Sequence, residues 1–260
     1  MPAQLIVTDL DRTLLRTDKT FSTYTIDVLN RCREKGIKLA FATARKERDV
    51  ARYVERLNAP PDALILRNGT QIYIAGELCV TQGISPQTRD TILRALVQNF
   101  PKATISVEIN NTLYGNDKLF EKWHNAEAIR TDFTDLPNIA ASIIIIGINS
   151  IEDIAQFEGY MPDDCYIEMS SGETQHFGFI MHRDATKWAG VQVLSAKMGI
   201  PIENIVAFGD DYNDVSMLQH VGTGIAVENA ISEAKAVANF ICDTNDNDGV
   251  ARWLEEKLCS

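Results

Sequence analysis

Four short apolar runs, each stopping abruptly at polar residues, constrain this chain more than any other feature. They are Leu5–Val7, Ile37–Ala42, Ala63–Leu66 and Ile205–Phe208. None alternates apolar with polar residues, which is how a strand covered on both faces reads. Helix-forming segments lie between them. Ser22 is an N-cap for a helix reaching Lys35, with Ile26, Leu29 and Cys32 on one face and Gly36 as its stop. Lys46–Leu57 makes a second helix, ended by Asn58-Ala-Pro-Pro61, and Thr186–Met198 a third, closed by Gly199. After the last of the four runs come a helix at Val215–His220, a strand at Thr223–Val227, a helix at Ala230–Val237, a strand at Phe240–Cys242 and an amphipathic helix at Gly249–Leu258. Alternating strands and helices specify an α/β fold, a doubly wound parallel sheet with right-handed crossovers.

The rhythm changes in the middle. Gln71–Ile74 and Glu77–Thr81 flank Ala75-Gly76 as a hairpin. Beyond it the pattern predicts helix at Pro86–Asn99, strands at Ala103–Ile109 and Thr112–Tyr114, helix at Lys118–Ala128, strand at Ser142–Ile148, helix at Ile151–Glu158 and strands at Tyr166–Ser170 and Gln175–Met181. This order suits an α+β module with a mostly antiparallel sheet, inserted into the first domain through ends that lie close together. The expected organisation is a core of residues 1–83 and 184–260 and an inserted module of residues 84–183.

In a doubly wound sheet the carboxyl ends of the strands share one edge, and ligands bind there. That edge collects Asp9 and Asp11, Thr43, Asn68, and Asp210 with Asp214, while Lys187 opens a helix nearby. Carboxylates at close quarters repel unless a cation holds them. Oxygen-only ligands suit Mg²⁺, which takes one or two carboxylates, waters and phosphate oxygens. Lys187 adds a point charge and Thr43 a hydroxyl donor, which a phosphoryl group requires.

Composition excludes other classes. With 36 acidic against 25 basic residues the net charge is −11, which argues against a general nucleic-acid or anionic-membrane surface. A small basic pocket or a bound cation still admits a phosphorylated small molecule. No run approaches the roughly 18 apolar residues of a membrane span, and no signal-peptide pattern precedes the first strand. The five cysteines are scattered and lack CxxC spacing, so free thiols in a reducing cytoplasm are expected. Four histidines show no metal-ligand spacing, and the aromatic residues Phe120 and Trp123 read as core of the inserted module. A monomer or a small homo-oligomer fits equally.

The set Asp9-x-Asp11-x-Thr13, Thr43 after a strand, an isolated Lys187 and Gly209-Asp-x-x-Asn-Asp214 resembles the haloacid dehalogenase (HAD) superfamily. Asn68-Gly69, the position of the insertion and Gly249-Val-Ala251 resemble its Cof-type phosphatases, over essentially the whole chain. The resemblance implies a phosphatase of a small phosphorylated metabolite such as a sugar phosphate, nucleotide or cofactor precursor. Asp9 would attack phosphorus and become an aspartyl phosphate, and Asp11 would act as general acid, then base. Mg²⁺ would be held by Asp9, the Asp11 carbonyl and Asp210, supported by Asp214. Thr43, Lys187 and Asn213, with the amides near Leu10 and Ala44, would bind the phosphoryl oxygens. Arg45 either braces acidic neighbours or touches substrate, and Asn68 either shapes the turn or touches substrate. The inserted module would be a mobile cap that selects the substrate. Three positions depart from the family, which has glycine where Arg12, Ala44 and Trp188 stand. Arg12 either sits in the turn or reaches a second anionic group, and Trp188 packs beneath its helix. Other readings are a phosphomutase on the same fold, a phosphorelay receiver and a non-catalytic phosphometabolite sensor. The two last fit poorly with the chain's length and with intact Asp9 and Asp11.

Overall fold

The computed structural model describes residues 3–57, 60–124, 126–149, 157, 159, 161–171 and 176–259. The chain divides into two compact units, one of Met1–Thr81 with Thr186–Ser260 and one of Gln82–Ala185.

The first unit begins with β1 (Leu5–Thr8), α1 (Thr23–Glu34), β2 (Lys38–Ala42), α2 (Glu47–Val54) and β3 (Ala63–Leu66). The Ser22 side chain accepts from the Thr25 amide to start α1, which buries Thr25, Val28, Leu29 and Cys32, a stripe at helical spacing. Ile26, expected on that face, is half-buried. Helix α2 is shorter than Lys46–Leu57, because Lys46 is its extended N-cap and the chain leaves the helix at Glu55. Strands β4 (Gln71–Ile74) and β5 (Glu77–Thr81) form the expected hairpin.

The second unit contains α3 (Pro86–Asn99), β6 (Thr104–Ile109), β7 (Thr112–Gly115), α4 (Asp117–Lys122), β8 (Ile129–Arg130), β9 (Ala141–Ile148), β10 (Cys165–Ser171) and β11 (His176–His182). Its strands run in the order β10-β11-β9-β6-β7-β8, antiparallel except for the last pair. Helix α4 stops well short of the expected Ala128. Trp123 turns out of the helix so that Ile129 can pair with Tyr114, a case of sheet pairing overriding helix propensity. The helix expected over residues 151–158 falls on positions of which only Phe157 is described; it is buried and meets Phe100 edge to face. Trp123 lies outside this unit's core: it is exposed and stacks on Phe177.

The first unit resumes with α5 (Lys187–Met198), β12 (Ile205–Gly209), α6 (Tyr212–His220), β13 (Thr223–Val227), α7 (Ser232–Val237), β14 (Phe240–Cys242) and α8 (Gly249–Leu254). The last helix widens to a π-helical turn at Glu255–Cys259 instead of running evenly to Leu258. Among the described residues eight strands form one sheet, in the order β14-β13-β12-β1-β2-β3-β4-β5. The six strands from β14 to β3 are parallel and the hairpin is an antiparallel extension. Every residue of β1 is buried, as a central strand covered on both faces requires. The fold is therefore the α/β core anticipated from the four apolar runs, with β1 between β12 and β2. No helix among the described residues is long and apolar enough to cross a membrane.

Candidate active site

Two strand ends deliver the carboxylates. Asp9 follows β1 directly, its amide bonded to the Phe208 carbonyl at 3.0 Å, so the ends of β1 and β12 are tied together. Asp210 follows β12, and Asp214 stands in the first turn of α6. Gly209 makes this turn possible: a Cβ there would lie 2.4 Å from the Cβ of Asp214. The Asp214 Oδ2 accepts from the amides of Asp210 and Asp211 at 3.0 and 3.2 Å. That is a capping box with Asp211, so the carboxylate also holds the helix start.

The cation comes from α5. Thr186 caps this helix by accepting from the Ala189 amide at 3.0 Å. Gly190 lies flat on Ile65 of β3, and Gly69, at φ 106°, lets the preceding turn pass so close that a Cβ would sit 2.2 Å from the Thr186 carbonyl oxygen. Pressed there, α5 aims Lys187 inward. Its Nζ donates to Asp9 Oδ1 and Asp214 Oδ1, each at 2.7 Å, and the side chain is 1% exposed. Thr13 donates to Asp210 Oδ1 at 2.8 Å and so orients the third acid from the β1 loop.

Asp9, Asp210 and Asp214 are buried and offer carboxylate oxygens that all lie within 4.8 Å of one another. Three carboxylates against one ammonium leave two negative charges. Burial therefore drives the Asp9 carboxyl up to about 7, against the pull of Lys187 and helped by Asp214. Burial likewise drives Asp210 up to about 6, with its Thr13 bond opposing. For Lys187 burial disfavours the charge, but Asp214 and Asp9 outweigh it and hold the ammonium charged. Both oxygens of Asp214 are engaged by donors, whereas Asp9 Oδ2 has no partner among the described residues and Asp210 Oδ2 has only Arg12, 3.8 Å away. A hard divalent cation fits this donor set in charge and in ligand type, on Asp9 and Asp210 with Asp214 behind them.

Asp11 stands apart from this cluster. Arg45 grips it through Nε and Nη2 at 2.5 and 2.6 Å, and Lys19 donates to it at 2.8 Å. Burial pushes Asp11 up, but these bonds outweigh it and hold the carboxyl down at about 2. In this arrangement Asp11 is an ionised partner of Arg45 and Lys19. Asn68, at φ 56°, donates its amide to the Thr43 carbonyl at 3.1 Å and accepts from the Asn213 side chain at 3.0 Å. Asn213 thus spends its donor on Asn68, while its own Oδ1 is buried without a donor. The Thr43 hydroxyl is buried beside them and accepts from the Arg45 amide at 3.2 Å. Leu10 is fully buried and Ala44 exposed, in the turns after β1 and β2. The structure thus joins Asp9, Asp210, Asp214 and Lys187 directly, pairs Asp11 with Arg45 and Asn68 with Asn213, and leaves Thr43, Leu10 and Ala44 without a described bond to the carboxylates. Trp188 packs against the core and stacks on His220, 5.2 Å between centroids. Sequence reasoning missed Lys19, for which a turn lysine gives no signal, and left Thr13 without its role on Asp210.

Comparison with known proteins identifies the family. A family model for haloacid dehalogenase-like hydrolases matches residues 6–254. The chain is 26% identical to the 5-amino-6-(5-phospho-D-ribitylamino)uracil phosphatase YitU of Bacillus subtilis, covering 97% of this chain and 96% of that one. It is also 26% identical to the pyridoxal phosphate phosphatase YbhA of Escherichia coli, over 99% of this chain and 100% of the other. A phosphatase of the haloalkanoate (HAD) superfamily from Bacteroides thetaiotaomicron shares the fold at TM-score 0.81 and 22% identity, covering 98% of this chain and 94% of that one.

Proposed function

The chain belongs to the haloacid dehalogenase-like hydrolase family, of the Cof type, and is a phosphatase of small phosphorylated metabolites; from that premise we propose a Mg²⁺-dependent reaction through an aspartyl phosphate on Asp9. The observation that carries this reading is the buried trio of Asp9, Asp210 and Asp214 with a single ammonium among them. Asp9 has one oxygen held by Lys187 and the other without a described partner, so the carboxylate is oriented and still free to attack. When bound, Mg²⁺ supplies positive charge for the phosphoryl oxygens as well as for the carboxylates. Lys187 opposes protonation of Asp9 and would neutralise charge that develops in transfer, while Thr43 contributes a buried hydroxyl. Asp11, released from Arg45 and Lys19, gives its proton to the leaving oxygen once it has acquired one and then takes one from the attacking water. The Asp11 carbonyl would complete the metal's protein ligands, and the amides near Leu10 and Ala44 would bind phosphoryl oxygens. The second unit, Gln82–Ala185, acts in this reading as the element that chooses the leaving group. The protein is read as cytoplasmic.

One experiment tests the metal and the protons together. Without a divalent cation the folded Asp9 and Asp210 bind protons that unfolded carboxylates, near pKa ~3.9, have already lost. Their folded values are raised, so the stability these two groups contribute to the metal-free protein falls as pH rises from about 4 towards 7. Added Mg²⁺ displaces those protons, so it is expected to raise the melting temperature more at pH 8 than at pH 5. Phosphate release from a generic aryl phosphate is expected to vanish in EDTA and return with Mg²⁺. Equal melting shifts at both pH values, or release indifferent to EDTA, contradict the metal site.

A further inference from the structure

The β1 loop carries three cations, and one of them is spent differently from the others. Arg16 puts both arms of its fork on Asp248, at 3.2 and 2.6 Å, and Lys19 donates to Asp11 at 2.8 Å. The Arg12 guanidinium makes only a 3.4 Å contact with the Asn229 carbonyl and stands 3.8 Å from Asp210 Oδ2, with its side chain 61% exposed. At 3.8 Å the second contact is charge proximity and not a hydrogen bond. Nearly all of its five donors are therefore unspent.

This arginine is also held where an arginine is costly. Its φ is 62°, in the left-handed region that side chains with a Cβ disfavour. The backbone is not free to relax: the Arg12 carbonyl accepts from the Asn229 side chain at 2.8 Å, and Asn229 in turn accepts from the Asn245 amide at 2.9 Å. An exposed pair of this length contributes little, so the contact with Asp210 does not explain the residue through stability. What the geometry provides is a largely unspent cation on a tethered backbone, 3.8 Å from Asp210, a buried acid of the carboxylate trio.

A guanidinium fork matches carboxylate and phosphate oxygens in a two-point contact that no neutral group can make. Lys187 and the metal trio serve the phosphoryl group that is transferred. Arg12 is left for a different anion on the same molecule. We propose that Arg12 is a specificity-determining residue that selects phosphate esters whose leaving group carries a second anionic group, a carboxylate or another phosphate. This rests on the phosphatase reading above. It also gives a strongly acidic chain, with net charge −11, a local means of attracting a doubly anionic substrate.

The test compares esters that differ only in the second anion: phosphoserine against phosphoethanolamine, and a sugar bisphosphate against its monophosphate. Each is scored by its inhibition constant against hydrolysis of a generic aryl phosphate, which reads binding whether or not the ester turns over quickly. In the wild type the doubly anionic member of at least one pair is expected to bind about tenfold or more tightly, the value of one charge-assisted contact. Whichever pair shows the difference identifies the anion. In Arg12→Gly the ratio is expected to fall to near unity, and Arg12→Lys to keep part of it. Because each ratio is taken within one variant, a general loss of fold or rate leaves it unaffected. A wild type with both ratios near unity, or an Arg12→Gly protein that keeps the wild-type ratio, overturns the assignment. Failure of the underlying reading looks different: aryl phosphate hydrolysis would then be absent, or would survive Asp9→Asn.

Discussion

Asp9→Asn is expected to abolish phosphate release, by on the order of 10⁴-fold or more, while leaving the metal-free fold at least as stable as before. The two halves of this expectation have one cause. Asp9 is 5% exposed and shares a pocket with Asp210 and Asp214, so its negative charge is held against the cost of burial, which lifts its carboxyl to about 7. Asparagine keeps the shape and still offers an oxygen to Lys187, and it removes the disfavoured charge. It cannot, however, form an acyl phosphate by attack on phosphorus, and no other carboxylate stands in its place: Asp214 is engaged at both oxygens and Asp11 is gripped by Arg45. Urea unfolding at pH 8 in EDTA, beside phosphate release in Mg²⁺, checks both. Parallel loss of stability and activity would make Asp9 a structural residue.

Lys187→Met is expected to act in the opposite sense on stability. It removes the ammonium shared by Asp9 and Asp214 and leaves two buried carboxylates facing each other, a loss of about 3–5 kcal/mol at pH 8 without divalent cation. Without the ammonium, whose pull opposes the rise, the folded Asp9 carboxyl goes up further, which means that the folded state takes up protons as pH falls. The variant is therefore expected to recover most of its stability towards pH 5, and part of it at pH 8 when Mg²⁺ is added. Its phosphate release should remain low even where it is folded, because the charge on the phosphoryl group has lost its partner. A cost below about 1 kcal/mol, or one that is the same at both pH values, would mean that Lys187 does not carry the charge balance of the pocket.

The carboxylate pocket was readable from sequence because of where strands end. A parallel sheet sends the carboxyl ends of β1, β2, β3 and β12 to one edge, so Asp9, Thr43, Asn68 and Asp210 could be placed together without coordinates. Lys187 and Asp214 follow from helices that begin at that edge. What did not follow was pairing across large sequence separation. The Thr13–Asp210 bond joins residues 197 positions apart, and the Arg45–Asp11 fork depends on rotamers and not on spacing. Ionic state was equally hidden: two acids separated by one residue have carboxyls pushed to about 7 and held at about 2, because burial, helped by two other acids, dominates at Asp9, while at Asp11 the bonds from Arg45 and Lys19 outweigh burial. Element limits failed where tertiary pairing decides, as at α4, which ends so that β8 can join β7. Within Asp9-Leu-Asp11-Arg12 the sequence marks both acids, but only coordinates show that Arg12, unlike Arg16 and Lys19, is hydrogen-bonded to no carboxylate.

The most direct test of the account is to look for the phosphoryl group on the protein. Asp11→Asn removes the group proposed to activate water while leaving Asp9 intact, so an aspartyl phosphate should accumulate in that variant during turnover with Mg²⁺ and an aryl phosphate. Acid quenching followed by peptide mass analysis is expected to find one added phosphoryl group on the peptide that contains Asp9, and none when Asp9 is also changed to asparagine. Release of phosphate by the Asp11→Asn protein with that peptide unmodified, or a phosphoryl group found on a peptide from elsewhere in the chain, would contradict it.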